Sequence, residues 1–441
     1  MKKSLFTLAS FALSLPVLAG GLLTNTNQHA AFLRNPARDA VIDVDGVYSN
    51  PAGLNFLKPG FYGAATIQTA QQDRDVTTTF PSLALNQDFL GQSTRKYHGH
   101  AIAAVVPSVQ LAYVGKNWNV NASFAISASG GKCTFEDGIG SFEMAYYQML
   151  TSMLPSAKNQ PYDFDSYLKG FQYYYGVQVG GGYRFNDKWS LGGGVRLLIG
   201  DGYYDGYLKS SVLTATGKEI TLHTDQSGLG VTPYLSLDFR PNSHWNFAGK
   251  YEFKTRVRLK NKSEMSPAAM ALAALDKYND AKTPKMADDV PGLLTLGAQY
   301  EFKPGAEKEN FRLSGGFHFY DDCNATKYGD KQKQIDKGTL EFLAGAEYDA
   351  TKWLTISAGW QCTRYRLSDA YMDEMSYNLS SNLLGVGVRI KPSEHIGIDF
   401  SYMHNFYHRR DVETPVTADL SVKNHYYRTN DVVGLSVNFT Y

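Results

Sequence analysis

From about residue 60 to the end of the chain, apolar side chains recur at every second position in segments of about 10 to 16 residues. The last segment is the cleanest. Val433, Leu435, Val437, Phe439 and Tyr441 alternate with Gly434, Ser436, Asn438 and Thr440. A period of two sends these sets to opposite faces of a β-strand. Leu229, Val231, Leu235, Leu237 and Phe239 repeat the pattern against Thr232, Ser236, Asp238 and Arg240. Leu340, Phe342, Ala344, Ala346 and Tyr348 do so against Thr339, Glu341, Gly345, Glu347 and Asp349. The spacing predicts strands near 60–70, 99–115, 118–129, 171–185, 189–204, 227–240, 244–260, 290–303, 310–323, 338–349, 353–366, 380–391, 395–409 and 430–441, fourteen in all. Alternation alone fits a water-soluble sandwich equally well, so the connections have to decide.

The connections sort into two kinds. Links after even-numbered strands are short and turn-rich: Gly115-Lys116-Asn117, Asn186-Asp187-Lys188, Pro241-Asn242-Ser243, Ala350-Thr351-Lys352 and Pro392-Ser393-Glu394, with a slightly longer one near 304–309. Links after odd-numbered strands are mostly long, reaching about 40 residues between Gly130 and Gly170. Short turns at one end and long loops at the other mark an antiparallel transmembrane β-barrel, with the short turns periplasmic. Trp118, Trp189, Trp245 and Trp353 each sit just past a short turn, and Phe311 takes the equivalent place after another. That puts four tryptophans at one level, where an aromatic belt meets lipid headgroups. Ending on the aromatic residue of such a strand is also the usual assembly signal of outer-membrane barrels.

The chain ahead of the first strand reads differently. Lys2 and Lys3, an apolar stretch from Leu5 to Leu15, Pro16 and Val17-Leu18-Ala19 predict a signal peptide over residues 1–19, cut after Ala19. No Cys follows the cut, so no lipoprotein anchor is expected. No later run of about 20 apolar residues would hold the exported chain in an inner membrane. Residues 20–59 carry little strand pattern. A 14-stranded barrel has a lumen too wide for side chains alone to fill, so this segment predicts a hatch folded inside the barrel of residues 60–441.

Composition narrows the function classes. A formal charge of +1 excludes a nucleic-acid binder. A mean hydropathy of −0.32 excludes a polytopic helical membrane protein but not a barrel, whose lumen face is polar. Cys133, Cys323 and Cys362 are odd in number and far apart, with neither a metal-ligand spacing nor a disulfide framework. No metal, cofactor or nucleotide is expected, and movement through the barrel should be passive.

The stretch from Thr24 to Ala40, Thr-Asn-Thr-Asn-Gln-His-Ala-Ala-Phe-Leu-Arg-Asn-Pro-Ala-Arg-Asp-Ala, followed by Asp45 and by Asn50-Pro51-Ala52-Gly53-Leu54, resembles the hatch of the FadL/TodX family, in the wording common in Bacteroidetes. The resemblance covers the hatch closely and the barrel by strand count and end position. It implies a monomeric channel in the outer membrane of a Gram-negative bacterium, surrounded by outer-membrane lipid, that passes long-chain fatty acids or other hydrophobic small molecules. It also implies a kink in the third strand that lets the substrate leave sideways into the bilayer. Here Ser127-Ala128-Ser129-Gly130-Gly131 offers small residues compatible with a bulge. In the hatch motif, Asn50 and Pro51 suit a sharp turn and Gly53 a close approach to the wall.

Two outer loops carry apolar residues at helical spacing: Phe142, Tyr146, Met149, Leu150, Met153 and Leu154, ending at Pro155, and Met265, Ala268, Ala269, Leu272, Ala273 and Leu275, after Ser266-Pro267. They form either a greasy capture site or a packed lid over the mouth, and both roles are compatible. Inward positions carry Arg184, Arg196, Asp238, Arg240, Lys250, Glu252, Glu301, Arg312, Glu341, Glu347, Arg389 and Asp399. Mixed charges there should pair with one another and with Arg34 and Arg38 of the hatch. Arg196 and Arg312 are the candidates for binding an acid headgroup. A hydrophilic porin is the rival reading. An enzyme is not expected: His98, His100, His404 and His408 have no nucleophile in a motif beside them.

Overall fold

The computed structural model describes residues 23–374, 377–417 and 420–441; the predicted signal peptide lies outside them. Fourteen antiparallel staves close into one barrel. They are β1 (Gly60–Thr79), β2 (Thr94–Val114), β3 (Trp118–Phe135), β4 (Asp165–Arg184), β5 (Trp189–Lys209) and β6 (Ile220–Phe239). Next come β7 (Trp245–Glu252 and Arg258–Met265), β8 (Lys285–Ala287 and Leu293–Glu301), β9 (Asn310–Tyr320) and β10 (Ile335–Thr351). The last four are β11 (Leu354–Leu367), β12 (Ser381–Ser393), β13 (Ile396–Tyr407 and Arg410–Thr417) and β14 (Leu420–Thr440). Three staves are each interrupted once, and both pieces of β7 pair with β6. Closure is by β1, where Tyr62 lies opposite Ala112 of β2 on one side and Thr440 of β14 on the other.

The burial is that of a soluble protein turned inside out. Leu229 (64% exposed), Val231, Leu235 and Leu237 face outward from β6, while Thr224, Gln226, Thr232, Ser236 and Asp238 are buried within. The same inversion runs round the wall. It needs an apolar solvent outside, because a water-soluble sheet would bury the leucines and expose the aspartate. Trp118, Trp189, Trp245 and Trp353 are 40–48% exposed at the short-turn end. No helix among the described residues is long and apolar enough to cross a membrane.

The strands run further at their outer ends than alternation predicts: β1 reaches Thr79, β4 begins at Asp165, and β14 at Leu420. On β5 the outward row reads Trp189, Leu191, Val195, Leu197 and Ile199, then Asp201, Tyr203, Asp205 and Tyr207. Above the apolar band the outward side turns polar, so the hydropathy signal stops while the hydrogen-bond ladder continues.

Residues 23–59 fill the lower lumen. The segment holds one short helix, α1 (Ala30–Arg34), whose first turn is capped by the His29 Nδ1 accepting from Ala31 N at 3.0 Å. It rests on small residues of the wall. At Gly385 of β12 a Cβ would lie 1.9 Å from the Leu33 carbonyl oxygen, so only glycine lets hatch and wall approach there.

Candidate functional site

The hatch is held from below by an ion network built from the charges that the alternation placed inward. Arg34 meets Glu347 at 2.6 Å and Asp399 at 3.2 Å. Arg38 meets Asp45 at 2.7 Å, Glu347 at 3.1 Å and Asp43 at 3.3 Å. Arg389 joins Asp43 at 2.6 Å to Asp399 at 2.8 Å. Burial works against charge on Asp43, but Arg389 and Arg38 overcome it and hold that carboxyl below the usual range. Burial likewise opposes charge on Arg38, and Asp45, Glu347 and Asp43 reverse the effect. Buried charges survive only where partners compensate them in this way.

The Asn50-Pro51-Ala52-Gly53 motif anchors the other side of the hatch. Asn50 Nδ2 donates to Asp238 at 2.5 Å, and its Oδ1 accepts from Gly53 N at 3.1 Å. Ala52 N donates to Ser236 Oγ at 3.0 Å, and Ser190 Oγ donates to the Ala52 carbonyl at 2.8 Å. A Cβ on Gly53 would lie 2.3 Å from Asn50 Nδ2. The motif is a wall anchor made of polar and small groups.

Above the hatch lies a cavity of about 180 Å³. Its place follows from β1. Tyr62 and Ala64 pack on the hatch residues Val44, Val47 and Leu54, Gln68, Ala70 and Gln72 line the cavity, and Phe80 just past the strand belongs to the mouth. Thr24, Asn25, Thr26 and Gln28 make the floor. Arg428 of β14 and Lys132 of β3 also line it, and Arg428 Nε is buried with no hydrogen-bond partner among the described residues. Below the hatch sits a second, polar cavity of about 330 Å³, lined by Arg34, Asp43, Arg312, Glu347 and Arg389 among others.

The wall beside the upper cavity has an opening in its hydrogen-bond ladder. β2 and β3 pair from Val109–Phe124 down to Val114–Asn119 and again at Gly99–Phe135 and His100–Thr134, with no ladder pair between. Residues 101–108 thus lose their β3 neighbour. On its other side β3 still pairs with β4, but with irregularities at Ile126/Ala128 and Ser129/Gly131, the small-residue run singled out above. Ala101, Ile102, Ala103 and Val106 on one lip and Ile126, Ser129 and Lys132 on the other all line the cavity. Ile102 does so while 53% exposed. Gln28 bridges to the β3 lip: its Nε2 donates to the Ile126 carbonyl at 2.9 Å and its Oε1 accepts from Ile126 N at 3.1 Å.

The outer mouth is closed by one apolar cluster. The helix α2 (Gly140–Met153) ends before Pro155 as predicted and contributes Phe142, Tyr146 and Leu150, all buried. The second loop is less helical than its spacing implied. Ser266 caps a single turn, Pro267–Met270, an extended Leu272 breaks it, and a 3₁₀ turn follows at Ala273–Tyr278. Met265, Leu272 and Leu275 nevertheless join the same cluster, whereas Met153 is half-buried at its helix end. These residues therefore pack on each other and lid the barrel.

Neither headgroup candidate reaches the upper cavity. Arg196 is held by Glu252 at 2.7 Å and by Gln178, and Arg312 by Asp349 at 2.6 Å beside the lower cavity. The cations that do line the upper cavity, Arg428 and Lys132, were missed because the predicted strands stop at 129 and start at 430. The opening carried one overlooked signal: Pro107 within β2, a residue that lacks an N–H and belongs at sheet edges and bulges. His98, His100 and His404 face outward, each against an aspartate.

No protein-family model matches the chain, and no curated protein matches it in sequence. Solved structures do match in fold. A FadL homologue of Pseudomonas aeruginosa superposes with a TM-score of 0.71 at 13% identity, over 95% of this chain and 99% of that one. The toluene transporter TodX of P. putida gives 0.56 at 14% identity, over 90% and 94%. The toluene transporter TbuX of Ralstonia pickettii gives 0.56 at 13% identity, over 95% and 99%. At such identities the likeness establishes the fold, a hatch-plugged 14-stranded barrel.

Proposed function

We propose that the chain is an outer-membrane channel that passes small hydrophobic molecules passively and releases them sideways between β2 and β3. One observation carries this reading: the cavity above the hatch lies directly against the stretch of wall where residues 101–108 of β2 have no ladder pair with β3. A greasy solute in that cavity has two ways on. Downward it meets the Arg34, Arg38, Glu347 and Asp399 network, where it would have to separate buried, mutually compensated charges. Sideways it meets lips on which Ala101, Ile102, Ala103, Val106 and Ile126 outnumber the polar Ser129 and Lys132.

Size and lining refine the substrate. A cavity of about 180 Å³ is comparable to one of roughly 150 Å³ that accepts benzene, so it suits a single ring or one segment of a longer chain. Arg428, Lys132 and Gln28 give it a polar side, which fits a molecule with one polar end. The fold relatives named as toluene transporters are in keeping with a compact, apolar cargo. The hatch argues against a hydrophilic porin, because it occupies the lumen that such a channel keeps open. In this reading the protein works as a monomer in outer-membrane lipid, without cofactor and without catalysing a reaction.

The test is uptake of radiolabelled toluene and of palmitate by cells lacking their own channels, together with bilayer conductance. The intact protein should support uptake yet be nearly silent electrically. Ala103→Trp, which fills the cavity beside the opening, should cut uptake at least about tenfold with assembly unchanged. Steady large conductance from the intact protein, or undiminished uptake by the tryptophan variant, would return the porin reading.

A further inference from the structure

The outer face of the β1–β2 hairpin carries a group of side chains that transport does not use. His98 and His100 stand two residues apart on β2, so both project from the same face. Their cross-strand partners on β1 are Asp75 and Asp73. His98 Nδ1 lies 2.7 Å from Asp75 Oδ1, and Lys96 Nζ holds the other Asp75 oxygen at 2.7 Å. A carboxylate can only accept, so the neutral form of His98 has its proton on Nδ1 and a lone pair on Nε2. That Nε2 lies 3.8 Å from Asp73 Oδ1, which also contacts His100 Nδ1 at 2.6 Å. The two imidazoles are stacked, with centroids 6.2 Å apart and planes inclined by 22°.

Among the described residues, Asp73, His98 and His100 are the one group of three or more such side chains whose ligand atoms all lie within 4.8 Å of one another. We propose that these three residues form a surface site for a divalent transition-metal ion, zinc in the first instance, with Asp75 as the group that orients His98. The donors of a tetrahedral zinc lie about 3.3 Å from each other, and these exposed side chains can adjust by that much. The ion takes the place of the proton between His100 Nδ1 and Asp73, and the neutral imidazole then carries its proton on Nε2. A carboxylate behind a ligating histidine is the usual second layer of zinc sites. Two nitrogens and one carboxylate suit zinc, and do not suit calcium or magnesium, which take six or more oxygens. A fourth position stays open to water.

The site also has a place in the wall. His100 opposite Thr134 is the last β2–β3 pair before the opening, so a bound ion would clamp β2 to β1 at the outer lip. This proposal does not depend on what the channel carries.

The experiment is zinc titration by calorimetry on the full chain, purified in detergent without a polyhistidine tag and stripped with chelator, with cobalt absorbance as a second readout. One zinc per chain is expected. His98→Ala and His100→Ala should each weaken binding at least tenfold, and Asp75→Asn by roughly tenfold, in the range for loss of an outer carboxylate. Lys96→Ala should leave binding in place. The side chains face outward, so folding of each variant is checked by heat-modifiable migration on gels. No zinc bound by the wild-type protein, or binding undiminished in the His98→Ala/His100→Ala double variant, would overturn the site and leave a set of hydrogen-bonded His–Asp pairs.

Discussion

The side-chain amide of Gln28 bonds both backbone groups of Ile126, as donor at 2.9 Å and as acceptor at 3.1 Å. In an antiparallel ladder the N–H and C=O of one residue point to the same neighbour. Ile126 has no β2 neighbour, and the hatch supplies a substitute. The plug and the opening are thus one connected structure.

Gln28→Ala removes two hydrogen bonds, together about 2 kcal/mol, or roughly thirtyfold easier local opening. Hydrogen exchange followed by mass spectrometry should show faster exchange in peptides covering residues 124–135 and little change in β9 to β12. Equal protection in variant and wild type would disconnect hatch from opening.

Asn50 and Asp238 make the second test. Asn50→Ala leaves the buried Asp238 carboxylate with the Asn246 bond at 2.9 Å alone, a loss of about 1–3 kcal/mol. Asn50→Asp sets two carboxylates against each other and should be worse. In planar bilayers both should turn a quiet channel into one with frequent openings, the aspartate variant more so. Two silent variants would mean that the motif does not hold the plug.

Glu347 draws Arg34, Arg38 and Arg312 within 3.5 Å. Glu347→Gln leaves their charges undercompensated in a buried place, a loss on the order of 3–5 kcal/mol. Urea unfolding in lipid vesicles should reveal it as a lower midpoint. An unshifted midpoint would show that Asp399, Asp45 and Asp349 suffice.

Asp322, in the outer loop after β9, gives a pH dependence. Burial pushes its carboxyl up to about 6, against the amide of Thr339, which donates to it at 3.0 Å. The folded protein therefore holds this proton more tightly than the unfolded chain. Its stabilising effect is full below about pH 4 and is lost as pH rises through 6. Asp322→Asn should match the wild type in thermal stability near pH 4 and exceed it near pH 7.5. A constant difference across that range would contradict the assignment.

Much of this arrangement was legible in the residues. Period two separated Leu229 and Val231 from Thr232 and Asp238, and loop length told the two ends of the barrel apart. Inward charges such as Arg389 and Asp399 were legible because a lumen residue must be at an even or odd position in register with its apolar neighbours. The opening was not legible, apart from Pro107. Residues 101–108 read as ordinary strand, since pairing with a neighbour is a property of two segments and leaves little trace in one. Gln28 was hidden for the same reason, because its partner is backbone nearly a hundred residues away. The mouth cluster was half visible: helical spacing found Tyr146 and Leu275 but could not say that the two loops meet.

The polar upper row of β5, from Asp201 to Tyr207, belongs to a wall much taller than its apolar band. A strand of 20 residues such as β1 rises at about 3.3 Å per residue and, tilted by roughly 40°, climbs about 50 Å, whereas the apolar band of such barrels is about 25 Å tall. In an outer membrane the mouth would then stand some way above the lipid tails, clear of much of the sugar coat that repels oily compounds. On the proposed route the barrel would work as a snorkel, taking cargo in at its raised mouth and letting it out at the depth where it dissolves.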